Sequence, residues 1–135
     1  MKFSYVKLPA KEGKFIELPL IDITFPFGRY FCLIDSGADF CYFDGKIGEM
    51  LGFNVKSGEV KKSRGITGEE FTIYLHKIQF KIGGWNFEAE VGFSYELGVP
   101  FGILGREGFF NLFKVCFDHP KREIELKELK QISLS

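Results

Sequence analysis

The 135-residue chain has too few cysteines, too little net charge and too short apolar runs for several common classes of protein. Cys32, Cys41 and Cys116 are odd in number and include no C-x-x-C pair. That set fits free thiols in a reducing compartment better than a disulfide framework. Basic and acidic side chains balance at 18 each, which leaves no electrostatic footprint for nucleic acid or an anionic membrane. No apolar run approaches the length of a membrane span. Met1-Lys2-Phe3-Ser4-Tyr5 leads into alternating residues rather than into the apolar core of a signal peptide. The expectation is a cytoplasmic protein with no nucleic-acid or membrane partner. Its two histidines, His76 and His119, lie far apart and the cysteines are scattered, so metal-ligand spacing is missing. Phosphate-cradling glycine motifs are absent, Ser36 lies outside any G-x-S-x-G elbow, and nothing pairs Cys41 with either histidine. No cofactor or metal is expected.

What the chain does have is core material. It is 45% hydrophobic with 17 phenylalanines, enough for one domain spanning residues 1–135. There are no internal repeats. Phe15 to Phe25 is apolar and rich in β-branched residues, and Pro26-Phe27-Gly28-Arg29 turns it into Tyr30 to Ile34. Cys41-Tyr42-Phe43 reads as a short strand. Asp44 followed by Ile47, Met50 and Leu51 has helical spacing, with Gly52 as its cap. Phe71, Ile73 and Leu75 alternate with polar residues, and Ile78, Phe80 and Ile82 resume one residue out of phase. That slip at His76-Lys77 predicts a bulge or a twist between faces. Gly83-Gly84 forms a two-residue hairpin turn before the alternation of Trp85 to Phe93. A last hairpin joins Phe113–Phe117 to Glu123–Leu126 through Asp118-His119-Pro120-Lys121, and Arg106 to Phe110 predicts a second short helix. Many short strands with regular turns point to a small barrel or sandwich.

Within this all-β pattern, Phe31-Cys32-Leu33-Ile34-Asp35-Ser36-Gly37-Ala38-Asp39 carries chemistry. An apolar strand that ends in a carboxylate desolvates it, so the carboxylate needs donors or a shared proton. The tripeptide alone is weak, arising by chance in roughly one chain of this length in twenty. Two further segments accompany it. Arg64-Gly65-Ile66-Thr67-Gly68 is a glycine-bracketed tip of the kind that closes over ligands. In Phe101-Gly102-Ile103-Leu104-Gly105-Arg106, a glycine after two bulky residues lets one backbone pass close to another.

In this order, the segments resemble the retropepsin-like aspartic proteases, over roughly Phe15 to Leu126. The resemblance implies a small closed or partly open β-barrel with one or two short helices. It implies that Asp35, Ser36 and Gly37 form the catalytic turn and that Gly65, Ile66, Thr67 and Gly68 form a flap over the substrate. Ala38, Asp39, Phe101 and Ile103 would line the cleft, and Val99-Pro100-Phe101 would form its wall. Leu104, Gly105 and Arg106 would support the loop, with Arg106 pairing with Asp39. Glu69-Glu70 makes this flap more acidic than a simple apolar one, and Phe40 replaces a residue that is often polar in viral members.

Peptide hydrolysis of this type needs one carboxylate to accept a proton from water and another to donate one to the carbonyl oxygen. Two close carboxylates sharing a proton can do both. Of Asp22, Asp35, Asp39, Asp44 and Asp118, only Asp35 lies in an Asp-Ser/Thr-Gly turn. One chain therefore supplies half a site, and the expected species is a homodimeric aspartic endopeptidase acting on peptide or protein substrates with apolar residues near the cut. The competing expectation is a dimeric retropepsin-like module that binds peptides without cleaving them.

Overall fold

The structure, a computed structural model, describes residues 1–65 and 67–129. Alternating apolar residues and glycine turns give twelve strands in this order: β1 (Lys2–Ser4), β2 (Val6–Pro9), β3 (Phe15–Leu18), β4 (Leu20–Phe25), β5 (Gly28–Ile34), β6 (Tyr42–Asp44), β7 (Glu59–Arg64), β8 (Glu70–Ile82), β9 (Trp85–Ser94), β10 (Gly102–Leu104), β11 (Phe113–Asp118) and β12 (Glu123–Glu128). One helix, α1 (Gly45–Met50), follows β6. The main sheet runs β4-β5-β10-β6-β9-β8-β7, and a further pairing of β4 with β8 closes its first six strands into a barrel. Strand β7 hangs beyond β8 outside that closure. A second sheet orders β1-β12-β11, and β2 and β3 pair as a separate hairpin.

Local chemistry explains most of the connections. Gly83 and Gly84 both adopt positive φ, at 57° and 84°, the conformation that a tight turn between two right-twisted strands requires. Pro26 and Phe27 make a two-residue turn between β4 and β5, where Phe25 pairs with Gly28. The Asp44 carboxylate caps α1 by accepting the Lys46 N–H at 2.8 Å, and Gly52 ends the turn at φ 91°. Ile47 is buried, but Met50 points outward despite its helical spacing.

Phe43, Phe93, Phe109 and Phe113 are fully buried at the centre of the barrel, among Ile21, Ile23, Ile82 and Leu104. Each such side chain contributes about 1.5–3 kcal/mol by leaving water. A smaller cluster of Ala38, Tyr42, Ile73 and Leu75 lies apart from this core, with Phe40, Phe71, Leu97 and Ile103 packed against it.

One expectation narrows to one of its two alternatives, and another needs correction. Strands β8 and β9 pair without a break from Tyr74↔Phe93 to Ile82↔Trp85, so there is no bulge at His76-Lys77. The phase change is instead the other expected outcome, a change of buried face along the strand. Ile78, Phe80 and Ile82 face the barrel core, whereas Ile73 and Leu75 face the smaller cluster on the opposite side of the same strand. The buried side changes while the pairing does not. His76 sits at that change, with its ring 4.9 Å from Phe53 and 5.7 Å from Phe93 and its Nε2 donating to the Val55 carbonyl at 2.7 Å.

The second helix is also absent: Arg106 to Phe110 forms wide turns instead. Phe110 and Asn111 donate to the carbonyls of Gly105 and Arg106, five residues back. Gly108, at φ 94°, interrupts any right-handed helix. Among the described residues no helix is long and apolar enough to cross a membrane.

Cys32 and Cys41 are buried and unpaired, and Cys116 is exposed. Burial disfavours the thiolate; it raises Cys32 well above its ordinary value and Cys41 from 9.0 to about 12. We expect a thiol reagent at pH 8 to label Cys116 alone in the folded protein and all three cysteines in denaturant. Below pH 9 both folded and unfolded chains keep these thiols neutral. Above pH 9 only the unfolded chain releases their protons, so stability measured by urea titration should fall as the pH rises from 9 toward 12.

Candidate active site

Strand β5 carries its apolar residues to the surface of the barrel and ends there. The Asp35 N–H donates to the Leu104 carbonyl at 2.9 Å, extending the parallel pairing of β5 with β10 by one step beyond Ile34↔Leu104. The chain then turns on the Asp35 side chain. Oδ1 accepts the Gly37 N–H at 2.9 Å, and the Ala38 N–H donates to the Asp35 carbonyl at 3.2 Å. This is an aspartate-centred turn, which explains an aspartate here and a small residue two positions on. A side chain at Gly37 would begin 3.2 Å from that carboxylate. Asp35 is half-buried, and Ser36 and Gly37 are exposed.

The loop leaving Asp35 is pinned beneath the end of β10. Arg106 N–H donates to Ala38 O, and Glu107 N–H to Asp39 O, both at 2.9 Å. Phe40 and Glu107 form a parallel bridge. At the crossing stands Gly105, where a Cβ would collide with the Phe40 carbonyl and lie 2.7 Å from that of Ala38. Both obstacles are backbone, so no rotamer change relieves them. The Arg106 guanidinium spans the outside of the loop, reaching Asp39 Oδ1 at 2.5 Å and the Ser36 carbonyl at 3.4 Å. Both members of this ion pair are more than half exposed, so its energy is under about 1 kcal/mol. Its effect is to fix the loop's shape.

An open cleft of about 320 Å³ lies over this turn. Asp35, Gly37, Ala38, Tyr42 and Ile103 form its floor, Arg64, Gly65 and Phe71 of the β7–β8 hairpin form one wall, and Leu97 and Val99 form another. Asp35 is the one acidic residue lining it among the described residues. The Asp35 carboxylate thus lies among mostly apolar lining residues. Among the described residues, no group of three His, Cys, Asp or Glu side chains could hold a metal ion.

The expected site residues divide accordingly. Asp35, Gly37, Ala38, Gly65 and Ile103 meet at the cleft. Leu104 is fully buried behind them, with Gly105 at the crossing and Arg106 on the rim. Ser36 and Asp39 are exposed beside the cleft rather than part of its lining, and Phe101 is half-buried two positions before Ile103, ahead of β10. Thr67 and Gly68 are exposed in the hairpin turn, where the Gly68 N–H donates to the Gly65 carbonyl at 3.0 Å. Ile66 lies outside the described residues. Sequence reasoning missed Tyr42, Phe71 and Leu97. Phe71 carries a readable signal, since it begins an apolar alternation directly after the glycine-bracketed tip.

No protein-family model matches the sequence, and no curated protein matches it. Among solved structures, a retropepsin-like aspartic protease from Rickettsia conorii is similar, with a TM-score of 0.59, over 92% of this chain and 97% of that one. The two sequences are 17% identical, so the likeness is one of architecture. The chain has the retropepsin-like fold.

The crossing at Gly105 yields a direct test. Gly105→Ala should lower stability by about 3 kcal/mol or more, or prevent folding, because the added methyl overpacks rigid backbone. Gly65→Ala meets only the Glu69 carbonyl at 4.0 Å and should cost less than about 1 kcal/mol. Urea midpoints of the two variants make the comparison.

Proposed function

We propose that the chain is an aspartic endopeptidase whose active species is a homodimer, with one Asp35 from each subunit meeting on the two-fold axis. The observation that carries this reading is the position of Asp35. It is the sole described acid lining an apolar cleft, held by a turn at the floor of a retropepsin-like fold. A lone carboxylate cannot both accept and donate the protons that amide hydrolysis requires, whereas two adjacent ones share a proton and do both.

In the proposed reaction a water lies between the two Asp35 carboxylates. One takes its proton as the water oxygen bonds to the scissile carbonyl carbon, and the other protonates the carbonyl oxygen. Collapse of the tetrahedral species breaks the C–N bond, and the proton taken from water goes to the leaving amine. Ser36, exposed at the turn, is assigned to hydrogen bonding across the axis, and Gly37 to close backbone approach. Gly65 to Gly68 serve as the flap that excludes water. Ala38, Asp39, Phe101 and Ile103 are assigned to the peptide, and Leu104, Gly105 and Arg106 to holding the loop. Three free thiols support a reducing, cytoplasmic setting.

Incubation with apolar peptides at acidic pH tests the reading, beside an Asp35→Asn variant of matched thermal stability. We expect the wild-type protein to cleave and the variant to lose activity by about 10²-fold or more. Sedimentation at micromolar concentration should show a dimer. Equal cleavage by both proteins would sink the mechanism, and peptide binding without cleavage by either would favour the non-catalytic binding module.

A further inference from the structure

Strand β7 is the weak point of the cleft. Among the described residues it pairs with β8 alone and lies outside the closed barrel, yet its end at Arg64 lines the cleft together with Asp35. Its side chains alternate. Lys62 and Arg64 share one face and are exposed, meeting Thr72 at 2.6 Å and Glu70 at 3.0 Å, with Arg64 at the cleft edge. Lys61 and Ser63 face inward, and of these Ser63 alone is buried, at 5% exposure. A polar side chain at such a place needs a partner, and Ser63 finds it in Tyr42.

We infer that Tyr42 is a positioning residue that latches the β7–β8 hairpin to the Asp35 loop. Its hydroxyl lies 2.5 Å from Ser63 Oγ, with both groups buried. The same hydroxyl accepts the Phe40 N–H at 3.4 Å, which leaves its own hydrogen free to donate to Ser63. One phenol thus joins the loop that carries Asp35 to the strand that faces it. Two further contacts cross the same gap. The Tyr42 and Phe71 rings meet edge to face at 5.3 Å, and Lys61 Nζ lies 5.5 Å from the Phe40 ring centre. These contacts fix the height of the hairpin base over the cleft floor, so a peptide enters a groove of set width. Losing the latch widens the groove, which weakens hold on the peptide more than it disturbs the Asp35 turn.

Its enzymatic consequence rests on the proposed function, but its conformational consequence does not, and the test reads both. The variants are Tyr42→Phe, Ser63→Ala, Ser63→Thr and the double Tyr42→Phe/Ser63→Ala, each checked for folding by thermal melting. Amide hydrogen exchange across Glu59–Arg64 should quicken by about 2- to 10-fold in Tyr42→Phe and Ser63→Ala, the range for one net hydrogen bond. The double variant should be no faster than the faster single one, because both remove the same bond. Ser63→Thr, which restores a hydroxyl, should return exchange to the wild-type rate. For peptide cleavage, Ser63→Ala should raise KM by about 2- to 10-fold while kcat changes less. Unchanged exchange in both single variants, or fully additive effects in the double, would overturn the latch. A change in kcat without one in KM would overturn its assigned effect on peptide binding. If the wild-type protein cleaves nothing, the proposed function fails and the exchange data still decide the latch.

Discussion

The site depends on one crossing of backbone over backbone. The loop from Asp35 to Phe40 runs beneath the segment from Leu104 to Glu107, and three N–H···O=C bonds of 2.9 Å tie them: Asp35 to Leu104, Arg106 to Ala38 and Glu107 to Asp39. Such close passage is possible because Gly105 has no side chain to place against the Ala38 and Phe40 carbonyls. The crossing sets where β5 stops, where the Asp35 carboxylate emerges and which way the chain leaves it. Buried Leu104 and Cys32 below connect it to the barrel core, so the position of the carboxylate follows from the packing of the whole barrel. The Arg106–Asp39 pair adds little energy at its exposure, but it closes the loop from the outside.

The smaller apolar cluster gives this arrangement its second surface. Strand β8 runs 13 residues in one register, and its two halves bury opposite faces. The half from Ile78 to Ile82 belongs to the barrel, and the half from Phe71 to Leu75 reaches past it to cover the Asp35 loop. A single strand therefore joins the rigid core to the wall of the cleft. The Tyr42 hydroxyl then ties the edge strand β7 to the floor. Fold stability and cleft shape rest on the same few residues, and the opposing wall is held by its pairing with β8, by ring contacts and by one buried hydroxyl pair.

Much of this was legible in the sequence because it is local. Asp35-Ser36-Gly37 declares a turn, Gly83-Gly84 declares a hairpin, and Ile103-Leu104-Gly105 announces close backbone passage. Alternation gave β9 and the face of each half of β8. The phase change at His76 leaves a bulge and a change of face equally open, because periodicity reports which side is buried and not how strands pair; the unbroken pairing of β8 with β9 decides for the change of face. The helix expected at Arg106 to Phe110 failed because Gly108 takes a left-handed φ that its surroundings impose. Phe101 rests on the resemblance alone; it is half-buried just ahead of β10, between Val99 and Ile103 of the cleft lining. Tyr42–Ser63 joins residues 21 apart, and no local pattern reveals such a contact.

The central claim is that one chain carries half a site. Mixing tests it most directly. Wild-type and Asp35→Asn chains are combined at a fixed total concentration, allowed to exchange subunits, and assayed for peptide cleavage as the wild-type fraction is varied. A site shared across a two-fold axis requires two intact subunits, so activity should follow the square of that fraction, with about one quarter remaining in an equal mixture. Activity falling in direct proportion to the wild-type fraction, with about half remaining, would show each chain to be complete in itself and would contradict the account.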